Sequence, residues 1–417
     1  MIAPTSKEDQ LTGFSNKKLD YYATLLYYSL NNKSLRQHML NSKLPNVGVT
    51  IFTVMSKLAN DVGAINLSQG FPDFDVSEDL RKLVAKHMAL GHNQYAPMQG
   101  IPSLRQRIAD KTKELYGASY NPETEISVTS GATEAIFSAI TCVVNSGDEV
   151  ILFEPAYDAY APDVLLAGGV PVYVKLKYPD YHVDWNEVKD AITAKTKLLI
   201  LNSPHNSTGA ILDHEDMLAL MDIVADTDIF IVSDEVYEHI VFDGHRHESL
   251  ARYPELAARS FVINSFGKTY HTTGWKLGYC LAPRQLTVEF QKVHQFVTFA
   301  SHTPTQYAYA EFIKKKEKYL TLPDFYQEKR DKFLSLIKES RFRALPCKGT
   351  YFQMLSYEAI TDEKDIDFAK RLTTEYKVAA IPLSVFYING DDHKALRFCF
   401  AKKDETLIQA AEKLCRI

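Results

Sequence analysis

Seven short apolar runs, separated by stretches with helical periodicity, occupy the middle of this chain between about residues 76 and 303. Each run is short enough to be a buried strand. Strands that alternate with helices usually form a mostly parallel sheet with helices on both faces. The sequence therefore predicts an α/β fold around a seven-stranded sheet. The runs are Ile126–Thr129, Val150–Phe153, Pro171–Lys175, Leu198–Asn202, Ile229–Ser233, Phe261–Ile263 and Leu277–Leu281.

Composition narrows the class of protein. A chain of 417 residues has room for two domains, at roughly 100–200 residues per domain. The formal net charge of −5 argues against a nucleic-acid partner. We find no apolar run of membrane-spanning length and no basic leader followed by an apolar segment. The five cysteines have neither redox nor metal-ligand spacing. We therefore predict reduced thiols, a cytoplasmic location, no metal site and no membrane partner.

The segment Ser265–Gly278 carries the first chemical signal. Lys268 lies just past an apolar run, with Ser265 three residues before it and Lys276 eight residues after it. One lysine can form an imine, while the other can meet a phosphate together with the serine. This pattern suits a cofactor that carries both an aldehyde and a phosphate. The alternative is that both lysines are solvated surface residues, because most lysines are exposed.

Two further strand ends carry polar residues. Asp234 follows the run Ile229–Ser233, and Tyr237 comes three residues later. Ligands of open α/β sheets bind at the carboxyl ends of the strands, although Asp234 alone could also be an ordinary helix cap. The third strand end is the turn around Ala132 and Thr133, whose small residues leave backbone N–H groups free for an anion. An ordinary capped helix would also explain that turn.

The order of these motifs resembles that of the class I/II, fold-type-I, pyridoxal-phosphate-dependent aminotransferases. Within that family the chain is most similar to the kynurenine and methionine aminotransferases, from about Leu44 to the C-terminus. Other segments that carry the resemblance are Asn66–Phe74, Asn93–Tyr95, Glu154–Pro155, Asn202–Asn206 and Arg397–Phe400.

The resemblance implies a role for each matching residue. The implied catalytic residues are Lys268, Asp234 and Tyr237. Lys268 binds the cofactor aldehyde and moves the substrate proton, whereas Asp234 lies beside the pyridine nitrogen and Tyr237 at the ring oxygen. The cofactor-binding set is Ala132, Thr133, Tyr157, Asn206, Asp234, Tyr237, Ser265, Lys268, Lys276 and Tyr95. In that set Tyr157 stacks on the ring, and Tyr95 reaches the phosphate of a neighbouring subunit. Substrate binding is expected from the Gly70 amide, Asn206 and the bidentate fork of Arg397.

The same resemblance implies an organisation into domains. Residues 1–43 are expected to be an N-terminal extension, and residues 76–303 a large cofactor-binding domain. Residues 44–75 and 304–417 are expected to form a smaller α/β domain that carries Arg397. A homodimer with shared active sites follows from the expected position of Tyr95.

One position departs from the family pattern. The chain has Ser207 where relatives usually have a proline after the asparagine. That proline is often cis, and a non-proline cis bond costs about 2.5–4 kcal/mol. Our hypothesis is that the turn keeps its path, so that Asn206 still faces the cofactor ring oxygen.

The predicted function is transfer of an amino group to a 2-oxo acid by a ping-pong mechanism. The expected side-chain pocket favours methionine and other apolar or aromatic amino acids. Two alternatives remain at this stage: a pyridoxal-phosphate-dependent carbon–sulfur β-lyase, and a non-catalytic aminotransferase-like ligand sensor. The expected pocket residues are Ile51, Phe52, Tyr95, Phe299 and Phe386.

Overall fold

The computed structural model describes residues 41–417, so nearly all of the predicted extension 1–43 lies outside the described residues. Residues 46–417 form one unit, and residues 41–45, which contain no helix or strand, belong to another. The predicted boundaries near residues 75 and 303 fall within the unit 46–417 and stay a prediction.

Helices and strands alternate along residues 46–417. The strands are β1 (Ile65–Asn66), β2 (Ile126–Thr129), β3 (Glu149–Glu154), β4 (Val170–Lys175), β5 (Thr196–Asn202), β6 (Phe230–Asp234), β7 (Ser260–Ser265), β8 (Gly278–Leu281), β9 (Arg343–Ala344), β10 (Phe352–Ser356), β11 (Val378–Ala379), β12 (Ile381–Pro382) and β13 (Ala395–Cys399). The helices are α1 (Ile51–Val62), α2 (Glu78–Ala89), α3 (Pro102–Tyr116), α4 (Gly131–Val143), α5 (Tyr160–Leu166), α6 (Trp185–Ala191), α7 (His214–Val224), α8 (Pro254–Ala257), α9 (Phe266–Thr269), α10 (Arg284–Val297), α11 (Thr303–Phe312), α12 (Glu317–Leu320), α13 (Leu322–Leu336), α14 (Asp365–Thr374) and α15 (Asp404–Leu414).

The predicted seven-stranded sheet is confirmed within the described part of the chain, in the order β2-β8-β7-β6-β5-β3-β4. Strands β4, β3, β5, β6 and β7 run parallel, whereas β8 pairs antiparallel with both β7 and β2. Each predicted run overlaps one strand, and the ends differ by at most two residues. The largest differences arise where polar residues, such as Thr196 and Ser265, extend the pairing beyond the apolar run.

Both faces of this sheet are buried, which is why its strands read as continuous apolar runs. In β3, Val150 and Leu152 belong to one hydrophobic cluster, and Ile151 and Phe153 to the other. Successive side chains of a strand point to opposite faces. The two clusters therefore fix the register of the sheet, because a slip of one residue would exchange them.

Two smaller sheets involve the C-terminal part of the chain, and one of them pairs it with residues 65–66. Strand β1 pairs parallel with β11, which joins Ile65 to Val378 and Asn66 to Ala379. Strands β12, β13, β10 and β9 form an antiparallel sheet, in which Arg397 of β13 faces Met354 of β10. The expected smaller α/β domain stays a prediction.

Six of the seven strands of the large sheet have their carboxyl ends at the same edge, and four of these ends carry predicted site residues or the turn before them. Strands β5, β6 and β7 are parallel, and β2 has the same direction because β8 is antiparallel to both β2 and β7. Asn202, Asp234, Ser265 and the turn after Thr129 therefore lie along this edge. Such an edge is the usual ligand site of an open α/β sheet.

Several expected features can be compared with residues 41–417. All five cysteines are free. In this part of the chain, no cluster of three or more His, Cys, Asp or Glu side chains is arranged to hold a metal ion. Likewise, none of the helices described here has both the length and the apolar character needed to cross a bilayer.

Candidate active site

A cavity of about 210 Å³ opens at the carboxyl edge of the sheet. The structure brings nine of the predicted cofactor-binding residues together around it, although their roles toward a cofactor stay predictions. These nine are Ala132, Thr133, Tyr157, Asn206, Asp234, Tyr237, Ser265, Lys268 and Lys276. The other lining residues are Gly131, Ile136, Val236, Gly267, Thr273 and Leu277.

Lys268 lies on the one-turn helix α9, directly after β7. Its Nζ donates a 3.0 Å hydrogen bond to the Tyr351 hydroxyl and makes a 3.5 Å contact with the Gly70 carbonyl oxygen. Burial lowers the pKa of Lys268 to about 8, and the charge of Arg397 contributes to this shift. At pH 7 about one Lys268 in ten is then a neutral amine, against roughly one in 3,000 for a lysine of ordinary pKa.

Asp234 is the last residue of β6 and is buried. The Tyr160 hydroxyl donates a 2.6 Å hydrogen bond to its Oδ2, and the Val236 amide donates to its Oδ1 at 3.2 Å. Burial raises the pKa of Asp234 to about 6, against the opposing effect of these two hydrogen bonds. Within the described residues no Lys, Arg or His nitrogen lies within 4.0 Å of this carboxylate. A buried carboxylate without a cation is costly, so a cationic ligand group would be stabilised there.

The opposite end of the cavity is suited to an anion. Helix α4 begins at Gly131, where the backbone N–H groups are free of intrahelical partners. Lys276 Nζ lies 3.3 Å from the Thr133 hydroxyl, and the side chain of Ser265 lines the same cavity. An ammonium group, two hydroxyls and a helix N-terminus are the donor set that a phosphate group needs.

Arg397 lies on β13 beside the cavity and is 1% exposed. Its Nη1 donates to Asn206 Oδ1 at 2.7 Å, and its Nη2 donates to the Ser68 carbonyl oxygen at 3.2 Å. The guanidinium carbon lies 3.9 Å from the ring centroid of Phe352. The Nε atom has no hydrogen-bond partner among the residues described. Arg397 is therefore a buried, oriented fork with unused donor capacity, which suits a carboxylate.

The turn that contains Ser207 supports the hypothesis made from the sequence. Asn206 lines the cavity, and its backbone N–H donates a 2.8 Å hydrogen bond to Asn202 Oδ1. The cis bonds in residues 41–417 precede Pro155, Pro179 and Pro204, so the bond before Ser207 is trans. The Ser207 hydroxyl lies 3.5 Å from Arg397 Nη1. The turn therefore keeps Asn206 at the cavity without a non-proline cis bond.

The remaining predicted residues do not line the cavity, and their positions differ. Gly70 adjoins the site, but the contact that it makes with Lys268 is through its carbonyl oxygen, and the predicted contact of its amide with substrate stays untested. Tyr95 is 83% exposed, does not line the cavity and packs edge-on against Phe299. Two of the expected pocket residues, Phe52 and Phe386, have ring centroids 5.0 and 5.8 Å from the Arg397 guanidinium. Ile51 is partly buried at the start of α1.

Sequence reasoning missed three side chains at the site. Tyr160 holds Asp234, Tyr351 holds Lys268, and Phe352 lies under Arg397. The signal for Tyr160 was its position three residues after Tyr157, at the start of α5. We find no comparable local signal for Tyr351 or Phe352, because their partners lie far away in the sequence.

The donor set fits one ligand chemistry. One cavity combines a lysine with a lowered pKa, a buried carboxylate that lacks a cation and an anion-binding cluster. A protonated pyridine ring with an aldehyde and a phosphate would satisfy all three at once. Arg397 adds a carboxylate-binding group at the side of the same site.

Comparison with known proteins agrees with this chemistry. The family model described as "Aminotransferase class I and II" matches residues 62–414. The methionine aminotransferase of Escherichia coli (strain K12) is 50% identical over 374 residues, which is 89% of this chain and 97% of that protein. The kynurenine–oxoglutarate transaminase of Dictyostelium discoideum is 35% identical over 412 residues, with coverage of 89% and 94%.

Solved structures give the same result. The crystal structure of YbdL from Escherichia coli, for which a methionine aminotransferase function was identified, has a TM-score of 0.89 and 49% identity, and the match covers 91% of this chain and 100% of that one. The substrates of this family are amino acids and 2-oxo acids. The chain therefore belongs to the class I and II aminotransferases and is a pyridoxal-phosphate-dependent transaminase of fold type I.

Proposed function

We propose that this transaminase takes the amino group from methionine and from other apolar or aromatic amino acids. The observation that carries the proposal is the surroundings of Arg397, whose guanidinium lies among the rings of Phe52, Phe352 and Phe386. An apolar amino acid that is bound through its α-carboxylate to Arg397 would have aromatic partners for its side chain there. For methionine, sulfur–aromatic contacts are worth about 0.3–1.5 kcal/mol. The E. coli methionine aminotransferase, which is 50% identical, also supports this substrate class.

We propose a role for each of the predicted residues that line the cavity. Bound pyridoxal phosphate supplies a ring that accepts the electrons released at the substrate α-carbon. In our proposal Lys268, as a neutral amine, takes the α-proton, and Asp234 holds the positive charge at the ring nitrogen. Tyr237 and Asn206 bind the ring oxygen, and Tyr157 covers one face of the ring. The phosphate is held by the α4 N-terminus around Ala132 with three side chains, Thr133, Ser265 and Lys276.

A homodimer with shared sites is part of this proposal. Tyr95 and Phe296 are 83% and 84% exposed, and Phe299 is 45% exposed. Exposed apolar surface of this kind favours association with another subunit. We propose that Tyr95 contacts the phosphate bound by the partner. A cytoplasmic location also stays a prediction, and the five free cysteines are consistent with a reducing compartment.

The donor class can be tested with a panel of single L-amino acids. We expect methionine to convert the yellow cofactor to its amine form fastest, followed by aromatic and branched amino acids. Aspartate should react about 100-fold more slowly, because its second carboxylate would enter aromatic surroundings without a cation. The change in absorbance is measured by stopped flow.

Two controls make that experiment decisive. D-Methionine has the opposite configuration at the α-carbon and should not react. Release of pyruvate and ammonia from a cysteine conjugate, measured without a 2-oxo acid, would indicate the β-lyase alternative instead. A panel in which aspartate or glutamate reacts fastest would refute the proposed donor class.

The anion end of the site can be tested through Gly278. A Cβ atom at this position would lie 2.9 Å from the Ala132 amide nitrogen and 2.7 Å from the Asn264 carbonyl oxygen. We expect Gly278→Ala to lower the free energy of unfolding by about 1–3 kcal/mol, and to weaken cofactor binding because the Ala132 amide must move. Thermal melts with and without pyridoxal phosphate measure both effects.

Gly274 is a matched control in the same loop, because a Cβ added there meets no atom within 4 Å. Gly274→Ala should change the unfolding free energy by less than about 0.5 kcal/mol and leave the stabilisation by cofactor unchanged. Equal stabilisation by cofactor in Gly278→Ala and in the wild type would count against a phosphate site at Ala132.

A further inference from the structure

Tyr351 contacts Lys268 but is not among the residues that line the cavity. It precedes β10 and is completely buried. Its carbonyl oxygen accepts a 3.0 Å hydrogen bond from the Phe400 amide, which ties it to the end of β13. Its ring packs edge-on against the rings of Tyr237 and Phe352, at centroid distances of 5.2 and 4.9 Å. The position of the Tyr351 hydroxyl is therefore set by the core and not by the ligand.

Two hydrogen bonds of the Tyr351 hydroxyl bear on Lys268, and the Tyr237 hydroxyl is a further hydrogen-bonding neighbour. The hydrogen of the Tyr351 hydroxyl is donated to the Gly70 carbonyl oxygen over 2.6 Å. The oxygen is then left to accept from Lys268 Nζ at 3.0 Å. The Gly70 carbonyl oxygen lies 3.5 Å from the same Nζ, which makes it a second, weaker acceptor. Burial raises the pKa of Tyr351 well above its ordinary value, so the hydroxyl stays protonated in this arrangement.

Two acceptors match the hydrogen count of a neutral amine. A neutral lysine amine has two N–H groups and one lone pair, whereas an ammonium has three N–H groups. When the two N–H groups point to Tyr351 and Gly70, the lone pair points away from both. Neither of these residues lines the cavity, whereas Lys268 does. The lone pair is then directed away from these two residues, and the remaining side of Nζ is the one that can face the cavity.

We propose that Tyr351 is a positioning residue that holds the free amine of Lys268 and directs its lone pair into the cavity. This inference rests on the proposed role of Lys268 and goes beyond it. Tyr351 is not required to touch the substrate or the cofactor. It acts on the reaction only through the orientation of the lysine nitrogen.

Other charges around Lys268 bear on any measurement of its protonation. Asp234 faces it from β6, Arg397 and the Cys399 thiol from β13, and Lys276 from the loop before β8. The Tyr237 ring centroid lies 5.4 Å from Nζ. These groups are the same in a variant that removes only the Tyr351 hydroxyl. A change in the behaviour of Lys268 in that variant can therefore be assigned to the hydroxyl.

The test is Tyr351→Phe in the full-length protein loaded with pyridoxamine 5′-phosphate, which has no aldehyde and leaves Lys268 free. Acylation of Lys268 by acetic anhydride is followed against pH by mass spectrometry of its tryptic peptide. Loss of an acceptor disfavours the ammonium form, so we expect the midpoint of labelling to fall by about one pH unit. We also expect kcat to fall about 10- to 100-fold, with KM changed less than about threefold.

Tyr326→Phe is the matched control. Tyr326 is also fully buried and packs on the Tyr351 ring, but its hydroxyl has no hydrogen-bond partner among the described residues. This variant should keep the wild-type labelling midpoint and kcat. Melting temperatures of both variants show whether each one is folded at the temperature of the assay.

Two outcomes would overturn the inference: a wild-type midpoint and kcat in Tyr351→Phe, or equal shifts in Tyr326→Phe. A failure of the underlying proposal has a different signature. If Lys268 is not the reactive lysine, borohydride reduction of the wild-type protein with pyridoxal phosphate will label another peptide. That result appears without any variant of Tyr351.

Discussion

Replacement of Lys268 by alanine is expected to lower kcat by at least about 10⁴-fold while cofactor still binds. The reason is that the amine acts twice in the proposed reaction, as the group that binds the aldehyde and as the base for the α-proton. The phosphate cluster around Thr133 and the carboxylate of Asp234 remain in this variant, so the site keeps most of its contacts with the cofactor. Steady-state assays and cofactor titration measure the two quantities separately.

Lys268→Arg tests whether the alanine variant loses activity because it lacks a base or because it lacks a positive charge. An arginine keeps a cation at this position, but its pKa above 12 leaves no neutral form to act as a base. We therefore expect it to be as inactive as the alanine variant. In the wild type, burial lowers the pKa of Lys268 to about 8. In the cofactor-free protein, acylation of the free Lys268 amine by acetic anhydride should then speed up about tenfold per pH unit below pH 8 and level off above it.

The result that would contradict this assignment is near-normal turnover in either variant. A second contradiction would be borohydride labelling of the wild type on a peptide that does not contain Lys268. Either result would move the reactive amine elsewhere, and Lys276 would be the first residue to examine. Its Nζ lies beside the Thr133 hydroxyl at the other end of the cavity.

The large sheet could be predicted from the sequence because its strands are buried on both faces. Strand β5, for example, has Leu198 and Ile200 in one cluster and Leu199 and Leu201 in the other, so the whole run is apolar. The short strands β1, β9, β11 and β12 have only two residues each. They depend on pairing with distant partners, and no local pattern marks them.

The site was predictable where a functional residue follows a strand. Asp234, Ser265 and Lys268 lie at or just after the ends of β6 and β7, where the sheet topology places ligands. Tyr351 was not predictable in this way, because its role appears only when Gly70 and Lys268 are brought beside it from distant parts of the chain. The turn at Ser207 keeps Asn206 at the cavity, as the hypothesis requires, but its contact with Arg397 needed the structure.

Arg397→Lys is expected to lower kcat/KM for amino acids by about 10²- to 10³-fold, which corresponds to about 3–4 kcal/mol. Lysine keeps the charge but cannot reproduce the planar fork. A single ammonium group also cannot replace the two terminal nitrogens of Arg397, which donate hydrogen bonds to Asn206 and Ser68. The loss should appear mainly in KM, because the carboxylate is bound in the ground state as well as in the transition state. Steady-state kinetics with methionine measure it.

A substrate without the carboxylate turns this prediction into a test of the contact itself. The wild type should use 3-(methylthio)propylamine poorly, and Arg397→Lys should use it at the same low rate, because the contact is already absent. Arg105→Lys is a matched control, since Arg105 on α3 is equally buried but donates to the carbonyl oxygens of Gly100 and Pro122. Arg105→Lys should lower the free energy of unfolding without changing the preference for methionine over 3-(methylthio)propylamine. If Arg397→Lys retains the wild-type preference, the substrate carboxylate must bind elsewhere, and the amide of Gly70 would be the next group to test.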